Sequence, residues 1–435
     1  MSKNQSGSVA MPIPAVPGSA SVFIARQPIF DRLNQVCAYE LLFRSGPENV
    51  YPHADGDRAT LSVIYNSLMV FTFQDLAGGK PAFINFTREA LLNGHAYTLP
   101  VDQVVIEILE TVEPDQHVLQ ACRKLRDAGY KLALDDVFCG DQLEGFLDVA
   151  DIVKVDLRAA SADAQRELCR IAAVQRKQCL AEKVETREEY AASSDVGFDY
   201  FQGYFFSRPA MLSGTDVQTA QLQSLGVLKD SLRADLDTRR FETIIKRDVA
   251  LTYKLLRYIN APAFAFRSKI TSLKHALDML GIEGVQRWLT LVLLHDMGTK
   301  QSRELIVAAT VRARFCERLA DWLDVPDRAQ DLFLLGLLSV LDSLLGRPMA
   351  ELVADLPIPD DVKGALLGTP NPLKEALDLV LAYEQAEWGR ISEWTAARGL
   401  PEDELPALYR NALRWADSLA SVGKGDEGQG GQAQA

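Results

Sequence analysis

The chain has 435 residues, with 46 Lys and Arg against 59 Asp and Glu, giving a formal net charge of -13 at pH 7. That length accommodates two domains with sizeable cores, and 48% hydrophobic with 24% charged residues is the balance of an ordinary globular protein. The acid excess argues against a nucleic-acid surface built on phosphate contacts, and the scattered cysteines, with no CxxC pair, argue against a disulfide or zinc scaffold.

Residues 1–20 mix Ser, Gly, Pro and Ala without the order of a secretory signal and are expected to form a disordered arm. From residue 21 to about 210, short apolar runs alternate with helical patterns. The predicted strands are SVFIA, AYELLF, PAFINF, QVVIEIL, KLALDD, DIVKVDL, QCLAEKV and YFQGYFF, with helices such as HVLQACRKLRDAG between several of them. Such alternation reads as βαβ units around a parallel sheet.

From about residue 211 to 422 the strand signals vanish and the pattern is helical, through VALTYKLLRYIN, SLKHALDMLG, VQRWLTLVLLHDMG and ALYRNALRWADSLAS. No repeat of fixed period stands out, so a compact helical domain is expected. The most apolar stretch, LFLLGLLSVLDSLLG from Leu332, is too short to span a membrane, carries Asp342, and reads as buried helix. Residues 423–435 read as a disordered tail. A cytoplasmic protein without a membrane or nucleic-acid partner is expected.

One polar residue recurs at or near the C-terminal end of each apolar run: Glu40, Asn85, Glu107, Asp135 with Asp136, Lys154 with Asp156, Glu182 with Glu185, and Gln202. In a barrel of βα units the strand C-termini converge on one mouth, where active sites sit. Converging carboxylates and an amide are hard oxygen donors suited to Mg²⁺, Mn²⁺ or Ca²⁺. Without a positive partner such carboxylates repel one another strongly.

These motifs resemble the EAL family of cyclic di-GMP phosphodiesterases over about residues 22–210. RQPIFD resembles the family's opening motif, YELLFR its EALLR signature, and FINFT its asparagine motif. IEILE, LALDD, DIVKVDL, AEKVET and YFQGYFFSRP follow in the family's order. The resemblance implies a modified TIM barrel that uses Mg²⁺ or Mn²⁺. Glu40, Asn85, Glu107 and Asp135 would hold one metal, and Asp135 would bridge to a second held also by Asp136 and Glu182. Lys154 would position the attacking water, with Glu182 beside it, and Glu110 would steady the following loop. Gln27, Arg44, Gln202, Asp156 and Glu185 would face the nucleotide. Family barrels often pair, so a homodimer is one expected state. Three departures stand out: the family loop DDFGTGYSS is DDVFCGDQLE here, the stretch after YELLFR lacks the family's HPxxGxxxP segment, and AEGVE is AEKVE, with Lys183 in place of Gly.

The helical half resembles the HDOD module over about residues 220–420, through DVALTYKLLRYINAPAFAFRSKITSLKHALDMLG and the helix after it. His295-Asp296 spells the dipeptide of HD-type hydrolases, yet the five histidines do not supply that site's ligand set. The expected architecture is therefore an α/β modified TIM barrel followed by an all-α domain. Its expected function is to bind cyclic di-GMP and relay the signal to a protein partner through the HDOD half. The alternative is active hydrolysis of the cyclic dinucleotide to linear pGpG.

Overall fold

The computed structural model describes residues 22–45, 76–138, 143, 145–203, 219–233, 238–246, 249–260, 270–297 and 303–423. The expected arm, the tail beyond residue 423, the expected domain boundary at residues 210–211, and Cys139 and Gly140 lie outside them.

Eight strands close into a barrel: β1 (Val22–Asp31), β2 (Val36–Ser45), β3 (Ala82–Phe86), β4 (Val104–Ile108), β5 (Lys131–Leu134), β6 (Ile152–Asp156), β7 (Gln178–Glu182) and β8 (Tyr200–Phe201). All eight sequence-read strands are present. β2 through β8 pair in parallel, whereas β1 pairs antiparallel with both β2 and β8, so the barrel is modified at its first strand. β1 also continues well past the SVFIA run, through Arg26, Gln27 and Pro28 to Asp31. The reversal is made by a tight turn in which Asp31 Oδ1 accepts the amides of Leu33 and Gln35, each at 2.9 Å, and Asn34 takes a φ of 57°.

β4 and β6 are buried at every position, as expected of parallel strands covered on both faces. The outer helices are α1 (Arg88–Leu92), α2 (Gln116–Asp127), α3 (Ala162–Val174) and α4 (Arg187–Val196). Each starts where the sequence supplies a cap. Asp115 accepts the His117 and Val118 amides, Ser161 accepts that of Ala164, and Thr186 with Glu189 forms a reciprocal capping box.

β1 and β2 have ten residues each, against five or fewer in the other strands. β2 pairs with β3 only over Tyr39–Leu41, while β1 and β2 stay paired out to Val22 and Ser45. The surplus length is a two-stranded arm, and the helical half packs on it. That half comprises α5 (Thr219–Ser231), α6 (Thr238–Lys246), α7 (Val249–Ile259), α8 (Leu273–Met297), α9 (Arg303–Arg318), α10 (Ala329–Leu338), α11 (Leu341–Leu345), α12 (Met349–Ala354), α13 (Asp360–Leu366), α14 (Pro372–Glu384), α15 (Trp388–Arg398) and α16 (Leu405–Gly423). α8 joins two sequence-read helices across a kink at Gly281.

One core runs through these helices, around Trp288, Phe315, Phe333 and Tyr383, and the Leu332–Leu345 stretch lies inside it. Phe23 of β1 belongs to the same core and meets the Trp388 ring edge-on at 5.9 Å. α10 approaches α9 closely enough that a Cβ on Gly336 would come within 2.7 Å of the Ala313 backbone. Among the described residues, no helix is long and apolar enough to cross a membrane.

Candidate functional site

The barrel brings the sequence-predicted polar series to one mouth. Asp156 and Glu182 end their strands, Asn85 and Glu107 are one residue short of the end of theirs, Lys154 is two residues before the end of β6, and Asp135 and Gln202 directly follow β5 and β8. Asn85 stands opposite Glu107 in the β3–β4 register, and Asp156 opposite Glu182 between β6 and β7. This placement follows from strand period and strand length, which put the last inward side chain of each strand at the same level.

The Lys154 ammonium is the hub. It is 2.8 Å from Asp135, 2.9 Å from Glu182 and 3.6 Å from Glu40, and it also bonds Glu107. Burial, the largest single influence, disfavours its charge, yet Glu182 and Glu40 outweigh that and hold its pKa above the usual value. The carboxylates are left over-supplied with negative charge. Burial first, then the neighbouring Glu182, Glu40, Asp136 and Glu110, push Asp135 up to about 9. Gln202 donates to Glu40 at 2.6 Å and to Gln27 at 3.0 Å, so these two amides fix Glu40 on β2.

Several oxygens at this mouth want a cation. Asn85 Oδ1, Glu107 Oε2 and Glu182 Oε2 are buried without a hydrogen-bond partner. Buried acceptors of this kind are costly unless something electropositive reaches them. Oxygens of Glu110, Asp135 and Asp136 also lie within 4.8 Å of one another, with Glu110 exposed. A hard divalent ion fits this donor set of carboxylates and one amide carbonyl.

Beside the cluster lies a cavity of about 830 Å³. Its barrel side includes Gln27, Glu40, Asn85, Asp135, Asp136, Glu185 and Gln202, and its far wall belongs to the helical half, through Glu304, Leu305, Ala308 and Arg312 of α9 and Tyr409 of α16. The sequence reading did not anticipate that wall, because no spacing within α9 signals that it faces another domain. Tyr39, next to Glu40, donates its hydroxyl to the Glu304 carboxylate at 2.9 Å. Arg312 pairs with Glu384 at 2.8 Å inside the helical half.

Arg44 is placed differently from the expectation. It is absent from the cavity lining, and its guanidinium is held by the helical half instead: Glu402 and the Trp388 carbonyl at 3.1 Å, and Ser392 at 2.8 Å. Glu40, Leu42 and Arg44 share one face of β2 by strand period, but Arg44 lies on the arm that α15 covers, which diverts it. Asp156 likewise turns to Lys183 at 2.5 Å and to the Arg158 and Ala159 amides, while Glu185 pairs with Arg158 at 3.1 Å. After Asp136, which has a φ of 44°, Val137 is buried and donates to the Lys154 carbonyl, and Phe138 is half-exposed. The His295 and Asp296 side chains are outside the described residues. The free cysteines described are Cys37, Cys122, Cys169, Cys179 and Cys316.

Comparison with known proteins agrees with this geometry. Residues 77–209 match the EAL domain family and residues 226–349 the HDOD domain family. The chain is 36% identical to the uncharacterized protein YuxH of Bacillus subtilis, over 92% of its own length and 98% of that protein's. It is 33% identical to the cyclic di-GMP phosphodiesterase CdgJ of Vibrio cholerae, over 92% of its own length and 93% of that protein's. Among solved structures it is similar to the calcium and cyclic di-GMP complex of Klebsiella pneumoniae BlrP1, with 28% identity and a TM-score of 0.36, covering 46% of this chain and 58% of that one. The barrel with its strand-end carboxylates, the helical domain after it, and relatives matched almost end to end place this chain in the family of two-domain EAL–HDOD proteins.

Proposed function

We propose that the barrel mouth is a metal-dependent phosphodiesterase site for cyclic di-GMP, and that the helical half docked on β2 sets its activity. The observation that carries this reading is the set of buried, unpartnered oxygens on Asn85, Glu107 and Glu182 around the Lys154 hub. Glu40, Asn85, Glu107 and Asp135 would hold the ion, with Mg²⁺ or Mn²⁺ the expected occupant. Bound there, it would supply Lewis acidity toward a phosphoryl oxygen and a more acidic water. Lys154, charged and fixed by four carboxylates, would orient that water and offset negative charge that grows during attack. Gln202, itself held by Gln27, keeps Glu40 aimed, and Glu182, paired with Lys154, would accept a proton. The relative that is a cyclic di-GMP phosphodiesterase supports the choice of substrate.

A second reading, binding and relay without turnover, is favoured by one observation: Arg44, the phosphate-type side chain of the signature strand, is held by Glu402 and Ser392. A chromatographic assay of cyclic di-GMP with Mn²⁺ separates the two. Conversion to linear pGpG by the natural protein, lost in Glu40→Ala, supports the enzyme. Binding without conversion sinks it and leaves the relay.

A further inference from the structure

Lys183 follows Glu182 directly and takes a left-handed backbone, with a φ of 57°. A lysine adopts that conformation only at a cost, so something must hold it there. The holding contacts are at its tip: the ammonium lies 2.5 Å from Asp156 and 3.7 Å from Asp136. Asp156 is itself pinned, because its other oxygen accepts the Arg158 amide at 2.6 Å and the Ala159 amide at 3.3 Å. The ammonium, on a half-exposed side chain tied to Asp156, therefore puts positive charge beside Asp136 at the rim of the cavity.

We propose that Lys183 takes the place of one of two cations at the barrel mouth, so that the site accepts a single divalent ion; this rests on the metal-dependent reading above. The carboxylates that would hold a second ion are Asp135, Asp136 and Glu182, with Glu110 within reach of the first two. An ammonium already within 3.7 Å of Asp136 partly neutralises that carboxylate and repels a dication brought to it. The Glu40, Glu107 and Asp135 oxygens are instead reached by Lys154, and the unpartnered atoms of Asn85 and Glu107 stay available for one ion.

The test uses the full chain and Mn²⁺ alone, with stoichiometry read by titration calorimetry and ion proximity by electron paramagnetic resonance. The natural protein should bind one Mn²⁺ per chain and give the six-line spectrum of an isolated ion. Lys183→Gly, which suits a left-handed backbone, should admit a second Mn²⁺ at least about tenfold more tightly and show the broadened spectrum of a coupled pair. Lys183→Met, which removes the charge and keeps the bulk, should do the same. Two ions in the natural protein, or one ion in both variants, would overturn the proposal alone. No Mn²⁺ in the natural protein would overturn the metal site itself and the proposal with it.

Discussion

At the residue scale, the mouth is a problem of excess negative charge, and its behaviour follows from that. Lys154 is buried against four carboxylates, so Lys154→Met leaves them facing one another without a counter-charge. Chelator-treated Lys154→Met should lose about 3–5 kcal/mol of stability in urea unfolding, and with Mn²⁺ present its turnover should fall about 100-fold or more. Asp135 sets a pH dependence. Its folded pKa of about 9 lies above its ordinary value, so the folded state binds more protons than the unfolded state across the intervening range. Stability of the metal-free protein should therefore fall as pH rises from about 5 to 9, and Asp135→Asn should flatten that slope in thermal melts. The convergent polar series was legible in the sequence because its members lie at or near the ends of apolar runs, and a barrel aligns those ends. Arg44 and Lys183 were not, because the partners that redirect them come from residues 388–402 and from Asp156, and no motif spacing encodes those contacts.

At the element scale, local chemistry made the strands and caps readable, while close approaches between elements were hidden. The apolar SVFIA run ends at Ala25, whereas pairing with β2 and β8 carries β1 on to Asp31. Helix starts at Asp115, Ser161 and Thr186 carry their caps in the sequence. Gly336 carries no such sign, yet α10 can lie on α9 only because it lacks a side chain. Gly336→Val should cost about 1–3 kcal/mol by overpacking, read as a lower urea midpoint with an unchanged slope. Asn260 ties the end of α7 to Ile270, donating to the Leu256 and Ile270 carbonyls and accepting the Ile270 amide at 2.8 Å. Asn260→Ala should cost about 1–3 kcal/mol, and a midpoint shift near zero would contradict that role.

At the scale of the whole molecule, the two halves share one cavity and one strand. The helical half holds β2 on either side of Glu40, through Tyr39 and Glu304 before it and Arg44 and Glu402 after it. A dinucleotide filling the cavity would touch both halves, so its addition should slow amide exchange in α9 as well as at the barrel strand ends. Protection confined to the barrel would contradict a shared site. Domain content and order were legible from the change in periodicity near residue 210, but the docking was not, since it depends on surplus strand length and on buried partners far apart in sequence. The central claim, that these strand-end oxygens hold a metal used to open cyclic di-GMP, is tested most directly by one measurement: turnover of cyclic di-GMP by chelator-stripped protein titrated with Mn²⁺. The account predicts no linear pGpG before addition and a saturable rise with Mn²⁺; turnover that is equal with and without metal, or absent at saturating Mn²⁺, would contradict it.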